Sequence, residues 1–137
     1  MQLTKVISGG QTGADRAGLE CARELGLETG GTAPKGYRTE RGSDASLNDF
    51  GLVESFSSGY PVRTAQNVKD AEATLWFGNT GSPGYWCTRN AAKRDNKPFI
   101  ENPTDLAPLA ELYEVINVAG NRASKNPSVI QLVKDAF

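Results

Sequence analysis

The run Leu3-Thr4-Lys5-Val6-Ile7-Ser8-Gly9-Gly10-Gln11-Thr12-Gly13-Ala14-Asp15-Arg16-Ala17-Gly18-Leu19-Glu20-Cys21-Ala22-Arg23-Glu24-Leu25-Gly26 sets the architecture. Its first third, Leu3 to Ser8, is apolar around Val6 and Ile7 and stops at two glycines, as a short buried strand entering a tight turn does. Ala14, Ala17, Gly18, Cys21, Ala22 and Leu25 then recur at helical spacing, with Arg16, Glu20, Arg23 and Glu24 on the opposite face. Thr12, three residues before Asp15, predicts a capping box with Asp in place of the usual Glu, and Gly26 fits the position just past the helix end. Strand, glycine turn and capped helix together open a βαβ unit.

Outward from this unit the alternation continues. Strands are predicted at Glu28–Ala33, Ala73–Phe77, Pro98–Ile100 and Tyr113–Val118, and helices at Pro61–Asp70, Gly84–Asp95, Thr104–Leu112 and Pro127–Ala136. Pro61 and Pro127 suit first-turn positions. Such alternation predicts a single α/β domain over residues 1–137, Rossmann-like, with about five mostly parallel strands and helices on both faces. Residues 34–60 form a polar, Gly- and Ser-rich stretch with one short helix expected around Ala45–Phe50. It is too long for a plain connection, so it reads either as a binding loop or as a poorly ordered segment.

Composition bounds the function. With 137 residues the chain is long enough to bury a core without disulfides or a structural metal, since a domain of this size covers roughly 68–70% of its unfolded surface. Fifteen basic and 16 acidic residues give a formal charge of −1, which argues against an extended nucleic-acid interface. The absence of histidine excludes Ser-His-Asp and Cys-His catalysis and every imidazole-dependent zinc site. Two cysteines cannot build a Cys-rich zinc site; Cys21 lies on the apolar helix face as a small core residue, and Cys87 has no histidine to activate it. No apolar run approaches 18 residues and the N-terminus lacks the order of a secretory signal, so a cytoplasmic protein with no membrane contact is expected.

Four segments could carry chemistry. In the first, Gly9-Gly10-Gln11-Thr12-Gly13, amides at a helix start suit an anion such as a phosphate, the reading that Rossmann-like use of such turns favours over glycines that serve only the tight turn. It is neither a P-loop nor a Gly-x-Gly-x-x-Gly turn. Asp15 either caps the helix or meets a ligand hydroxyl. Where a dinucleotide enzyme ends its second strand with an acid, this chain has Lys35, Arg38 and Arg41 beyond it, cationic candidates for a ligand. In the second segment, Arg63, Thr64 and Asn67 begin a helix, with Arg63 and Asn67 one turn apart. They could converge on one polar group, the arginine offering a fork to phosphate and the asparagine an amide to base or sugar, or could form a solvated face.

The third segment, Gly78-Asn79-Thr80-Gly81-Ser82-Pro83-Gly84, follows the most apolar strand; Gly81, Ser82 and Gly84 would face the first glycine turn across a crevice. Tyr85 and Trp86 behind it either stack on a base or pack inward. In the fourth, Arg122 and Ser124 follow a strand and offer anion contacts, unless they are merely exposed loop residues. Asp15, Glu40, Glu54 and Asp70 are carboxylates within reach of the pocket, none singled out by spacing as a general acid or base.

Four ordered blocks resemble a known family: Gly9 to Gly18, Gly31-x-Ala33-Pro34-Lys35-Gly36-Tyr37-Arg38-Thr39-Glu40, Tyr60-x-x-Arg63-Thr64-x-x-Asn67-Val68, and Asn117-Val118-Ala119-Gly120-x-Arg122-x-Ser124. The family is that of the molybdenum-cofactor carriers, the YpsA-like branch of the SLOG superfamily, related to the lonely-guy phosphoribohydrolases and DprA. The resemblance covers essentially the whole chain. It implies a five-stranded Rossmann-like sheet, a pocket for a nucleotide-derived ligand between the two glycine loops and the Arg63 helix, and self-association as dimers or tetramers.

The chain departs from the family pattern at Ala71-Glu72-Ala73-Thr74, where Ser-Asp-Gly-Thr is usual, and at Pro83-Gly84-Tyr85-Trp86-Cys87-Thr88, where Gly-Gly-Thr-x-x-Thr is usual. The hydrolase relatives carry an acid-base glutamate after their second glycine loop, but here none follows Gly84 until Glu101. The expectation is a non-catalytic binder of a phosphorylated nucleotide-type molecule, such as an ADP-ribose-like signal or molybdenum cofactor, with no catalytic residues, no metal site and no required cofactor. The rival is a nucleosidase or phosphoribohydrolase that cleaves an N-glycosidic bond.

Overall fold

The computed structural model describes all residues, Met1–Phe137. The chain runs β1 (Lys5–Ser8), α1 (Ala14–Glu24), β2 (Glu28–Ala33), β3 (Arg38–Thr39), β4 (Gly42–Ser43), a 3-10 helix (Ala45–Phe50), β5 (Leu52–Glu54), α2 (Tyr60–Asp70), β6 (Ala73–Phe77), α3 (Pro83–Arg94), β7 (Phe99–Glu101), α4 (Ala107–Leu112), β8 (Val115–Gly120) and α5 (Val129–Ala136). Six strands form one sheet in the order β5-β2-β1-β8-β6-β7, every pair parallel. The α/β class is thus observed, with six strands in place of about five. The extra strand, β5, and the antiparallel β3–β4 hairpin both arise within residues 34–60. That stretch is folded: Asp44 caps the 3-10 helix by accepting from the Ser46 amide, and Gly51 ends it at φ 81°.

Alternation along each strand divides the core into two layers. Val6, Leu75, Phe77, Ile116 and Val118 face α1, α4 and α5, where Ala17, Ala22, Leu106, Val129 and Val133 close the main apolar cluster. The opposite face, under α2 and α3, mixes apolar and polar groups. Trp76, Tyr85 and Ala119 pack together there, while Asn117 Nδ2 donates to Thr74 Oγ1 at 3.3 Å. A smaller cluster of Leu19, Ala33, Leu47, Phe50 and Leu52 seats the 3-10 helix against α1 and β2. Stabilisation therefore comes mainly from apolar burial, at about 25 cal/mol per Å², with the polar patches kept cheap by internal pairing.

The last strand, β8, lies at the centre of the sheet between β1 and β6. Two glycines permit the close approaches this requires. A Cβ on Gly120 would stand 2.2 Å from the Phe77 carbonyl oxygen and 2.6 Å from Ala14 Cβ; one on Gly31, at φ 127°, would stand 2.1 Å from the Ser8 carbonyl oxygen. The carboxyl ends of β1, β8 and β6 consequently lie side by side, and the segments that follow them meet.

Candidate functional site

The first glycine turn is bound into the protein more tightly than its sequence foretells. Gly13 is the N-cap of α1 and no side chain caps it, so the expected Thr12–Asp15 capping box is not formed. Asp15 instead reaches back, its Oδ2 accepting from the Gln11 amide at 3.2 Å, with the Gly9 amide also directed at the carboxylate. The Thr12 amide donates to Gln11 Oε1 at 3.0 Å, the Gly10 amide to Ser8 Oγ at 3.3 Å, and the Ala14 amide to the Asn121 carbonyl at 3.2 Å. Of the four amides expected to receive a phosphate, those of Gly10, Gln11, Thr12 and Gly13, the first three already face internal acceptors.

Arg63 lies across this turn. Its guanidinium is 3.5 Å from Asp15 Oδ2, with the two side chains 13% and 3% exposed, and a Cβ on Gly9 would stand 2.1 Å from its Nη1. Gly9 is thus the clearance for the arginine. Burial pushes the Asp15 carboxyl above its ordinary value, overcoming the opposing pull of Arg63 and of the Gln11 and Gly9 amides. Two buried donors in this cluster have no hydrogen-bond partner, Gln11 Nε2 and Arg63 Nε. Each such group costs about 1–3 kcal/mol if left unpaired, so both call for an acceptor from outside the chain.

Arg63 and Arg122 share an aromatic platform: their guanidinium carbons lie 5.4 and 5.6 Å from the centre of the half-exposed Tyr60 ring. Next to Arg122 stands Glu40, at the tip of the β3–β4 hairpin. Its carboxylate accepts from the Thr12 hydroxyl, the Ser124 hydroxyl and, at 3.2 Å, the Ser124 amide, while its own amide donates to Gln11 Oε1 at 2.9 Å. Partial burial would raise the Glu40 carboxyl, but the hydrogen bonds from Ser124 and Thr12 and the charge of Arg122 outweigh it and hold the group below its ordinary value.

A cavity of about 530 Å³ opens beside this contact, between the glycine turn, the outer face of α1, the hairpin and the start of α5; Gly10, Thr12, Arg16, Thr39, Arg41 and Ala123 are among its walls. Arg16 is held there by Glu20 at 2.9 Å and Asp44 at 3.1 Å. Arg41 is exposed and makes no ion pair. No group of His, Cys, Asp and Glu is placed to hold a metal ion.

The remaining candidates separate. Asn67 does not converge with Arg63; it is buried, its Oδ1 accepting from the Thr32 amide at 2.7 Å and its Nδ2 donating to the Thr32 carbonyl at 2.9 Å. It ties α2 to β2, its amide satisfied by main chain. Thr64 is buried beside it. Tyr85 is also turned inward, packed edge-on against Trp76 and Phe99 at 5.5 and 5.8 Å with its hydroxyl donating to Glu101 at 2.9 Å. Stacking on a base is closed to it.

Trp86 is 47% exposed and holds Arg89 over its ring at 5.4 Å, away from the cavity walls. Ser82 caps α3 by accepting from the Tyr85 amide at 3.2 Å. Gly81 and Gly84 are exposed at the same turn, as are Lys35 and Arg38 on the hairpin side, and none of these lines the cavity. The two glycine loops do meet, through Asn121, whose carbonyl receives the Ala14 amide and whose Oδ1 receives the Asn79 amide at 2.6 Å.

Sequence reasoning passed over Arg16, Thr39 and Ser46, noted Arg41 only in passing, and left Glu40 as one carboxylate among several. Only the hairpin brings Glu40 back to Thr12, 28 residues earlier. The Tyr37-Arg38-Thr39-Glu40 block was the one available signal. No helix is long and apolar enough to cross a membrane.

Comparison with curated proteins gives no match. A crystal structure from Syntrophus aciditrophicus SB, described as "Putative molybdenum carrier protein", is similar at a TM-score of 0.83 and 33% identity, covering 98% of this chain and 92% of that one. The model of the circularly permutated YpsA SLOG family matches residues 6–137. On this fold, this identity and this coverage, the chain belongs to the circularly permutated YpsA SLOG family.

Proposed function

We propose that this protein binds, without chemical turnover, a phosphorylated nucleotide-type small molecule at the carboxyl end of its sheet. The observation that carries the reading is the pair of buried donors without partners, Gln11 Nε2 and Arg63 Nε, beside the two arginines that flank Tyr60. Guanidinium forks and a carboxamide N–H want an anionic or carbonyl-rich acceptor, such as the phosphate and base carbonyls of a nucleotide. The 530 Å³ cavity at the same glycine turn, walled by Gly10, Thr12 and Gly13 and not by Gln11, Arg63 or Arg122, is within the range of small-molecule sites.

The carrier description of the Syntrophus protein favours molybdenum cofactor, while the nucleotide-binding character of the superfamily favours an ADP-ribose-like signal; carrier, sensor and sequestering roles share the same site chemistry. Binding, rather than turnover, is supported by what happens to the buried carboxylate. Asp15 accepts from the Gln11 amide and is ion-paired with Arg63, so it is not presented to a scissile bond as a free base. The hydrolase reading has one observation in its favour, the raised pKa of buried Asp15, which suits a general acid. Incubation with nucleoside monophosphates and ADP-ribose derivatives decides between them. Recovery of intact ligand from denatured protein is the expected result; accumulation of free base would overturn the proposal.

A further inference from the structure

We propose that the donors now facing Glu40 constitute an oxyanion subsite for a terminal phosphate, and that Glu40 occupies it as an internal competitor which the ligand must displace. The inference rests on the binding reading above and specifies how that site opens. The Glu40 carboxylate receives the Thr12 hydroxyl, the Ser124 hydroxyl and the Ser124 amide, and Arg122 adds positive charge beside it. Two hydroxyls and a main-chain amide, with a guanidinium charge nearby, form a donor set suited to phosphate, which has more oxygens than a carboxylate to fill it. A second observation points the same way. Gln11 is 6% exposed and its Oε1 is taken by the Thr12 and Glu40 amides, yet Nε2 on the same carboxamide has no acceptor. Gln11 thus holds the Glu40 main chain while its own amide nitrogen lacks an acceptor.

The hairpin is built so that its tip can lift while its base stays. At the base, Arg16 holds Asp44 and Ser46 at 3.1 and 2.7 Å, the Asp44 amide donates to the Tyr37 carbonyl at 2.9 Å, and Tyr37 packs on the Leu47–Phe50–Leu52 cluster. At the tip, the Thr39 hydroxyl bonds only within its own turn, to the Gly42 carbonyl and the Arg41 amide. The hydrogen bonds from the tip to the rest of the protein are those of Glu40. Displacing the carboxylate therefore leaves the tip hydrogen-bonded to the body only through the Glu40 amide on Gln11 Oε1 at 2.9 Å, next to the cavity that Thr39 and Arg41 wall.

The competitor lowers apparent affinity by the fraction of molecules already open. Removing it with Glu40→Gln, which keeps size and loses charge, is expected to tighten binding of inorganic pyrophosphate and of ADP by about tenfold, corresponding to about ten closed molecules for each open one. Glu40→Ala is expected to act in the same direction, with thermal unfolding recorded alongside so that a loosened fold is seen as such. A second readout uses the wild-type chain: trypsin cuts after Arg38 and Arg41, both exposed on the hairpin, and pyrophosphate should accelerate cleavage at these two sites. Protection of both sites by pyrophosphate would overturn the inference. So would equal ADP and pyrophosphate affinity for wild type and Glu40→Gln, which leaves the binding reading standing. Failure of wild type and both variants to bind ADP or pyrophosphate overturns the two together.

Discussion

Glu40 shows how a single side chain changes meaning once the chain is folded. In the sequence it is one acid near a loop; in the structure it closes a contact between the turn after β1 and the turn after β8. Its carboxyl is held below the ordinary value of 4.5, so its folded-state pKa is depressed. The stabilising contact is then complete above pH 4.5 and is lost as pH falls through the folded value. Titration followed by NMR of the Glu40 carboxyl carbon and the Ser124 amide should give one shared midpoint below 4.5, and Ser124→Ala should move the carboxyl midpoint upward. A wild-type midpoint at or above 4.5 would contradict the assigned hydrogen bonds. Asp15 behaves oppositely: its raised value makes it a cost to the fold that is absent at low pH and present once the group ionises, a cost Arg63 only partly offsets.

At the scale of elements, local signals in the sequence were good guides wherever backbone geometry decided the outcome. β2 falls at Glu28–Ala33 and β6 at Ala73–Phe77 as their patterns predict, and Gly26 follows α1 at φ 77°. What the patterns could not convey was the direction of polar side chains, because that depends on partners far along the chain. Asn67 looked like a ligand amide from its helical spacing, but its partner is the Thr32 backbone 35 residues earlier. Tyr85 looked like a stacking group and is drawn inward by Trp76 and Glu101. The role assigned here to Asn67 is tested by Asn67→Ala, which strands an amide and a carbonyl of Thr32 in a buried place. Urea unfolding should show a loss of about 2 kcal/mol or more, with ligand affinity of the folded fraction little changed. A stable variant that has lost ligand would contradict the clamp and restore the ligand contact.

For the molecule as a whole, the decisive feature is that β8 joins two half-sheets, β5-β2-β1 on one side and β6-β7 on the other. α1 lies close enough to this strand that a Cβ on Gly18 would come within 2.8 Å of Val118 Cγ1. Val118→Ala should therefore cost about 2 kcal/mol or more and move one cooperative transition, seen at the same denaturant concentration by far-ultraviolet dichroism and tryptophan fluorescence. Two separated transitions would show that the halves fold independently. The parallel α/β architecture was legible in advance because alternation of strands and helices is a local property summed along the chain. The sixth strand was not, since Leu52–Glu54 is short and half polar and becomes a strand only by pairing with β2. The same central strand delivers Asn121, Arg122 and Ser124 to the first glycine turn, so fold and candidate site stand or fall together.

The measurement that bears most directly on the account is native mass spectrometry of freshly purified protein beside its Arg63→Ala variant. The wild-type chain should carry a discrete excess mass that is released intact on denaturation and contains phosphorus, and the variant should lack it; the same spectra report whether the chain assembles as a dimer or tetramer. Bare protein in both samples, unchanged after addition of nucleoside monophosphates, ADP and ADP-ribose, would show that the donors of Gln11 and Arg63 await no such guest.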